Sequence, residues 1–138
     1  MPKAFGDPEL ILKILAALSY PTGGMVAFIY VLANGKGNQN YFFRFHFFQS
    51  LLLGIFAMLL TYSASALSSI FTGIVSGIGS LAGGGQAVSG IVSSGFGIVA
   101  LVAQAAFAIA ALVGVVQSLR GKYVDIPLVG KIARQNLR

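Results

Sequence analysis

The chain has no cysteine, no tryptophan, one histidine and only three acidic residues among 138. Without cysteine there is no disulfide and no thiolate chemistry. One histidine cannot supply the three or four ligands that a zinc site needs. The acids are Asp7, Glu9 and Asp125, so no carboxylate stands between Glu9 and Asp125. A two-carboxylate hydrolase, or a proton relay fed by carboxylates within a membrane, therefore lacks its material. Charge as a whole is scarce. Charged residues make up 9% of the chain, against about a quarter in soluble domains. Phe45 to Leu119 carries no Lys, Arg, Asp or Glu at all.

What is present is apolar. Hydrophobic residues reach 57% and the mean hydropathy is +0.87. So few polar groups cannot cover a water-facing surface, and the expectation is an all-α, polytopic bundle of membrane helices. The few charges sum to +6 and are unevenly placed, with five bases and one acid between Arg120 and Arg138. A basic tail after an apolar run marks orientation and contact with anionic headgroups. No basic face interleaved with stacking aromatics accompanies it, so nucleic acid is not the expected partner. Asp7 and Glu9 interrupt the N-terminal apolar stretch, so it reads as retained and not as a cleaved signal.

Four apolar segments follow. The first, about 10–32, is broken at Pro21, where backbone bonding is lost. It fits either a span kinked there or a short interfacial helix followed by a loop. The second, about 41–62, has a tyrosine at each end like an interfacial aromatic belt. The third, 63–90, is rich in serine and glycine. Gly73 and Gly77 give it a small-xxx-small pair suited to close helix approach, yet the same composition fits a re-entrant loop. The fourth, about 91–119, carries Ala103, Ala106, Ala110 and Gly114 at helical spacing, a packing seam. A short basic amphipathic helix is expected within 120–138. The whole forms one transmembrane domain over 1–138, with three to four spans. Basic residues Lys36 and Arg44 flank the linker between the first two segments and five more follow the fourth, which asks for an even number of crossings between Arg44 and Arg120.

The stretch YFFRFHFFQSLLL sets three strong hydrogen-bonding groups at the mouth of the second span. With about 100° per residue, His46, Gln49, Ser50 and Leu53 share one face and Arg44 points away. His46, Gln49 and Ser50 are therefore expected to pack against a neighbouring helix or a partner. Arg44 is expected to reach headgroup phosphates together with Arg120, Lys122, Lys131, Arg134 and Arg138. No residue is expected to be catalytic, to bind a cofactor or to ligate a metal. GIGSLA (77–82) has the outline of a dinucleotide loop but lacks its preceding strand and following acid.

At Arg44-Phe45-His46 and Gln49 the chain resembles a known family. These are the chloroplast inner-envelope import-channel proteins (the twenty-kilodalton subunit of the Tic translocon) and their cyanobacterial and bacterial small multipass relatives. Ala17-Leu18-Ser19-Tyr20, Gly121-Lys122-Tyr123 and Ile126-Pro127-Leu128 match in the family's order. The resemblance implies four membrane helices with both ends on one side, and a part in moving preproteins across a membrane. It implies a cyanobacterial plasma or thylakoid membrane, or the plastid inner envelope. It supplies no catalytic residue. The expected partners are membrane lipids, other membrane subunits or further copies of the chain, and a translocating polypeptide. A structural or assembly subunit of a photosynthetic or respiratory complex, and a small-solute transporter, are the other classes the composition allows.

Overall fold

The computed structural model describes residues 9–34, 40–127 and 129–135. All regular elements among them are helices: α1 (Leu10–Ser19), α2 (Met25–Asn34), α3 (Tyr41–Ala82), α4 (Gly85–Leu119) and α5 (Val129–Gln135). Lys36 and Arg138 lie outside the described residues.

The first segment is not one kinked span. α1 and α2 have ten residues each, about 15 Å apiece at 1.5 Å per residue, half of a hydrocarbon core of about 30 Å. They fold back on each other: Leu12 of α1 and Ala27 of α2 are buried in one cluster with Phe43 of α3, flanked by Leu15, Tyr30, Val31 and Phe47. The reversal has a backbone cause. Gly23 and Gly24 take φ of 59° and 88°, and the Gly24 N–H donates to the Ser19 carbonyl at 2.7 Å. Left-handed glycine closes the end of α1 where a side-chain-bearing residue would be strained. Pro21 has no N–H and so needs no acceptor inside this turn.

α3 begins at Asn40, whose Oδ1 accepts from the Phe42 and Phe43 N–H groups at 2.9 and 3.4 Å. That is an N-cap, and it satisfies donors a helix start otherwise leaves open. No break separates the second and third segments, because α3 runs 42 residues without interruption. Its hydroxyls explain the continuity. Thr61, Ser65 and Ser69 each donate to the carbonyl four residues back, so serine and threonine satisfy themselves on their own helix. The break falls at Gly83 (φ 78°), where the Gly84 N–H bonds the Gly79 carbonyl at 3.1 Å. α4 then continues for 35 residues, so the fourth segment begins at Gly85. α4 ends where the Lys122 N–H bonds the Gln117 carbonyl at 3.0 Å.

Two compact units divide the chain. One is Ala57–Phe107, the turn-side stretches of α3 and α4. Within it the helices touch most closely at Gly79 and Gly85, where a Cβ on Gly79 would overlap the Gly85 backbone. Phe71 stacks on Phe96 with centroids 5.8 Å apart. The other unit joins the residues up to Phe56 with those from Ala108 onward, and it holds the buried core.

α3 and α4 are long and apolar enough to cross a membrane. Neither begins at the N-terminus, and only 11% of the most apolar 18-residue stretch of α3 and 6% of that of α4 is buried within the molecule. A core helix of a soluble protein would be covered. These two helices therefore support a membrane protein.

Candidate functional site: a buried polar cluster around His46

The only histidine sits fully buried at the start of α3. Four aromatic rings enclose it. Phe42 and Phe45 meet it edge-on with centroids 4.5 and 5.2 Å away. Tyr20 meets it edge-on at 5.8 Å, and Tyr123 stacks nearly parallel at 6.3 Å. Three chain segments thus converge on one imidazole: the end of α1, the start of α3 and the residues after α4.

The hydrogen bonds fix where the protons are. Gln49 Nε2 donates to the Val124 carbonyl at 2.9 Å. A carbonyl only accepts, so the amide cannot be turned the other way. Gln49 Oε1 then faces Tyr20 and accepts its O–H at 2.9 Å. The phenol has spent its one proton. His46 Nδ1, 2.8 Å from the same oxygen, must therefore carry hydrogen and donate to it. Nε2 is left as a bare acceptor, buried and without a hydrogen bond, with the Lys122 main chain facing the imidazole. The chain Val124–Gln49–Tyr20–His46 ties together elements that no short stretch of sequence connects.

Tyr20 is the hub that sequence reasoning missed as a functional residue. It is 4% exposed. Its ring lies against Gly114 of α4, where a Cβ would stand 2.5 Å from Cδ1 and Cζ. A signal existed: a tyrosine closing an apolar helix carries an O–H that needs a partner once buried. The turn behind it docks just as closely on α3, where a Cβ on Gly54 would come within 2.9 Å of Gly23 Cα. Ser19, Ser50 and Ser118 are fully buried and donate to carbonyls of their own helices. They add little volume and leave no hydroxyl unsatisfied.

The other expected site residues are scattered. His46, Gln49, Ser50 and Leu53 are buried on one side of α3, and Arg44 is half-buried with its Nε unpaired. Gly114 is buried and Ala110 half-buried, whereas Ala106, Gly73 and Gly77 are exposed. Neither Gly73 nor Gly77 has anything within 4 Å of a built Cβ. Arg120, Lys122, Lys131 and Arg134 are exposed. Arg134 pairs with Asp125 at 2.7 Å and lies over the Phe45 ring at 5.5 Å. About half of each partner is exposed, so the ion pair orients more than it stabilises. What holds α5 is its apolar face, with Ile126, Val129 and Ala133 buried. Gly130 lies so near Asp125 that a Cβ there would stand 2.7 Å from the Asp125 Cα.

Burial pushes the Tyr123 hydroxyl above its ordinary range, Tyr41 pushes it further, and Arg134 partly offsets both. The hydrogen bond to Asp125 holds the Arg134 guanidinium even more firmly charged than usual. A tyrosine raised in the folded state contributes stability below the unfolded value of about 10 and loses it as pH climbs past that point. Limited proteolysis within 121–135 should therefore accelerate above about pH 10, and Tyr123→Phe should remove that acceleration. An unchanged alkaline profile in the variant would assign the loosening elsewhere.

The architecture is that of a helical protein with two membrane-length helices and a buried polar clasp. No protein-family model, curated protein or solved structure matches the chain.

Proposed function

We propose that this is a non-enzymatic integral membrane protein that serves as one subunit of a larger membrane assembly. The preprotein-moving kind implied by the import-channel resemblance is the first choice. The observation that carries the reading is apolar length. α3 has 42 residues and α4 has 35, about 63 and 53 Å at 1.5 Å per residue, against a hydrocarbon core of about 30 Å. Large apolar side chains stand exposed along both, from Ile55 to Leu119. A single bilayer around an upright or modestly tilted helix covers about half of that. Further protein, either other subunits or more copies of this chain, covers the rest.

The small residues on those faces supply the means. Gly73 and Gly77 are open to a partner helix, and close backbone approach is what drives association in lipid. Apart from His46 Nε2, the polar groups of the His46 cluster are used within the molecule in joining the end of α1, α3 and the residues after α4. The basic residues Arg44, Arg120, Lys122, Lys131 and Arg134 belong at the headgroup level on one side of the membrane. That side is the cytoplasmic or stroma-like one of a cyanobacterial or plastid membrane.

The experiment is native purification in mild detergent, with Gly73→Leu and Gly77→Leu beside the unaltered chain. The expected result is a homo-oligomer or a defined multi-component complex that either leucine disperses. Thermal stability of the isolated subunit should move by no more than about 1 kcal/mol, since a helix glycine in open space is not a folding requirement. A monomer from the unaltered chain would contradict the reading. Co-purification with a fixed energy-converting complex would favour the structural-subunit class.

A further inference from the structure

The turn-side unit reverses the usual arrangement of polar and apolar surface. Ile74, Ile78, Leu81, Val88 and Ile91 stand exposed on its outside. Between its two helices lies a cleft of about 840 Å³ whose polar lining is Thr72, Ser76, Ser80, Gln86, Ser89 and Ser93. The glycines Gly79, Gly83, Gly84, Gly85 and Gly90 leave its floor open to backbone.

The hydroxyls have hydrogen-bonding capacity to spare. Ser80, Ser89 and Ser93 each donate to a carbonyl three residues back, which leaves their oxygen lone pairs unused. Thr72 Oγ1 is buried with no hydrogen-bond partner. In a dry apolar setting an unsatisfied group of this kind is destabilising. Six polar side chains on one cleft, under an apolar exterior, therefore call for hydrogen-bonding contents. At about 30 Å³ per water the volume takes roughly two dozen molecules. No charged residue occurs from Phe45 to Leu119, so nothing in the lining attracts an ion or replaces its hydration with charge.

We propose that this cleft is a hydrated binding site for small uncharged hydrogen-bonding solutes, water and polyols, flanked by helix faces that meet lipid or partner helices. The site does not depend on the role in preprotein movement. It needs only that the outer faces of α3 and α4 be shielded from water while the inner faces are not.

The absence of native cysteine makes the test clean. Ser76→Cys, Ser80→Cys and Ser89→Cys report the cleft, and Ile74→Cys, Ile78→Cys and Ile91→Cys report the outside. Each carries a single thiol on a chain retained in its membrane. An uncharged water-soluble maleimide should label the cleft set at least tenfold faster than the outer set. A lipid-soluble maleimide should reverse the order. An anionic maleimide of similar size should label the cleft set several-fold more slowly than the neutral one. Serine to cysteine changes one atom, and if one variant fails to accumulate the other two carry the comparison. Equal rates for both sets would overturn the proposal by placing the whole unit in water. Slow labelling of both would overturn it by making the cleft dry. A cleft that took the anionic reagent as fast as the neutral one would overturn its restriction to uncharged groups.

Discussion

Gly114→Val is expected to leave almost no folded protein in the membrane. Valine at this point on α4 would put carbon where the Tyr20 ring already lies, since even a Cβ would stand 2.5 Å from two ring atoms. Overpacking a tight core costs about 1–3 kcal/mol when neighbours can shift. Here the neighbour is a ring held by two hydrogen bonds. Moving it orphans His46 Nδ1–H and Gln49 Oε1 as well, at about 1–3 kcal/mol each. The sum, about 3–9 kcal/mol, reaches well into the range of a small domain's whole stability, about 5–15 kcal/mol. The check is the fraction of protein in the folded detergent-solubilised peak, with Gly73→Val as control. Gly73 has nothing within 4 Å, so its valine variant should fold. Normal yield and melting for Gly114→Val would mean that Tyr20 does not seat against α4.

Tyr20→Phe is expected to cost about 2–5 kcal/mol, although it removes a single oxygen. The ring, and with it the packing on Gly114, stays. What goes is the atom that accepts from His46 and donates to Gln49, two side chains with no exposed surface. Both lose a partner where water does not reach, and the desolvation cost falls on each. His46 then has neither nitrogen bonded, because Nε2 is unpaired from the outset. The effect should be read as a shift in reversible unfolding in mixed micelles. A double cycle with Gln49→Leu should give strong coupling, because both substitutions break the same bond. Additive losses would detach Tyr20 from Gln49.

The contrast between these residues and the exposed ones explains how much the sequence disclosed. Helical arithmetic over 41–56 is local, and it sets His46, Gln49, Ser50 and Leu53 apart from Arg44, which is how they stand in the fold. Tyr20 lies 26 and 29 residues from its two partners, and only the reversal at Gly23 and Gly24 brings it to them. Nothing in the local pattern announces that reversal as opposed to a kink at Pro21. The serines of 63–69 misdirect in another way. Read as composition they mark a boundary, but the Ser65 and Ser69 hydroxyls fold back onto carbonyls of the same helix and α3 passes straight through. Within the molecule the members of the alanine stripe of α4 have different surroundings. Gly114 has a tyrosine against it, whereas Ala106 faces outward. Spacing tells which residues share a face and is silent on what stands opposite.

The clasp around His46, in which Gln49 near the start of α3 bonds Val124 after α4, requires those two segments to share one side of the membrane. Dual topology reporters test this directly, one inserted at Lys36 ahead of α3 and one fused after the C-terminus. Activity of both reporters on the same side is expected. Reporters on opposite sides would mean an odd number of crossings between Arg44 and Arg120, and the clasp joining Gln49 to Val124 could not exist.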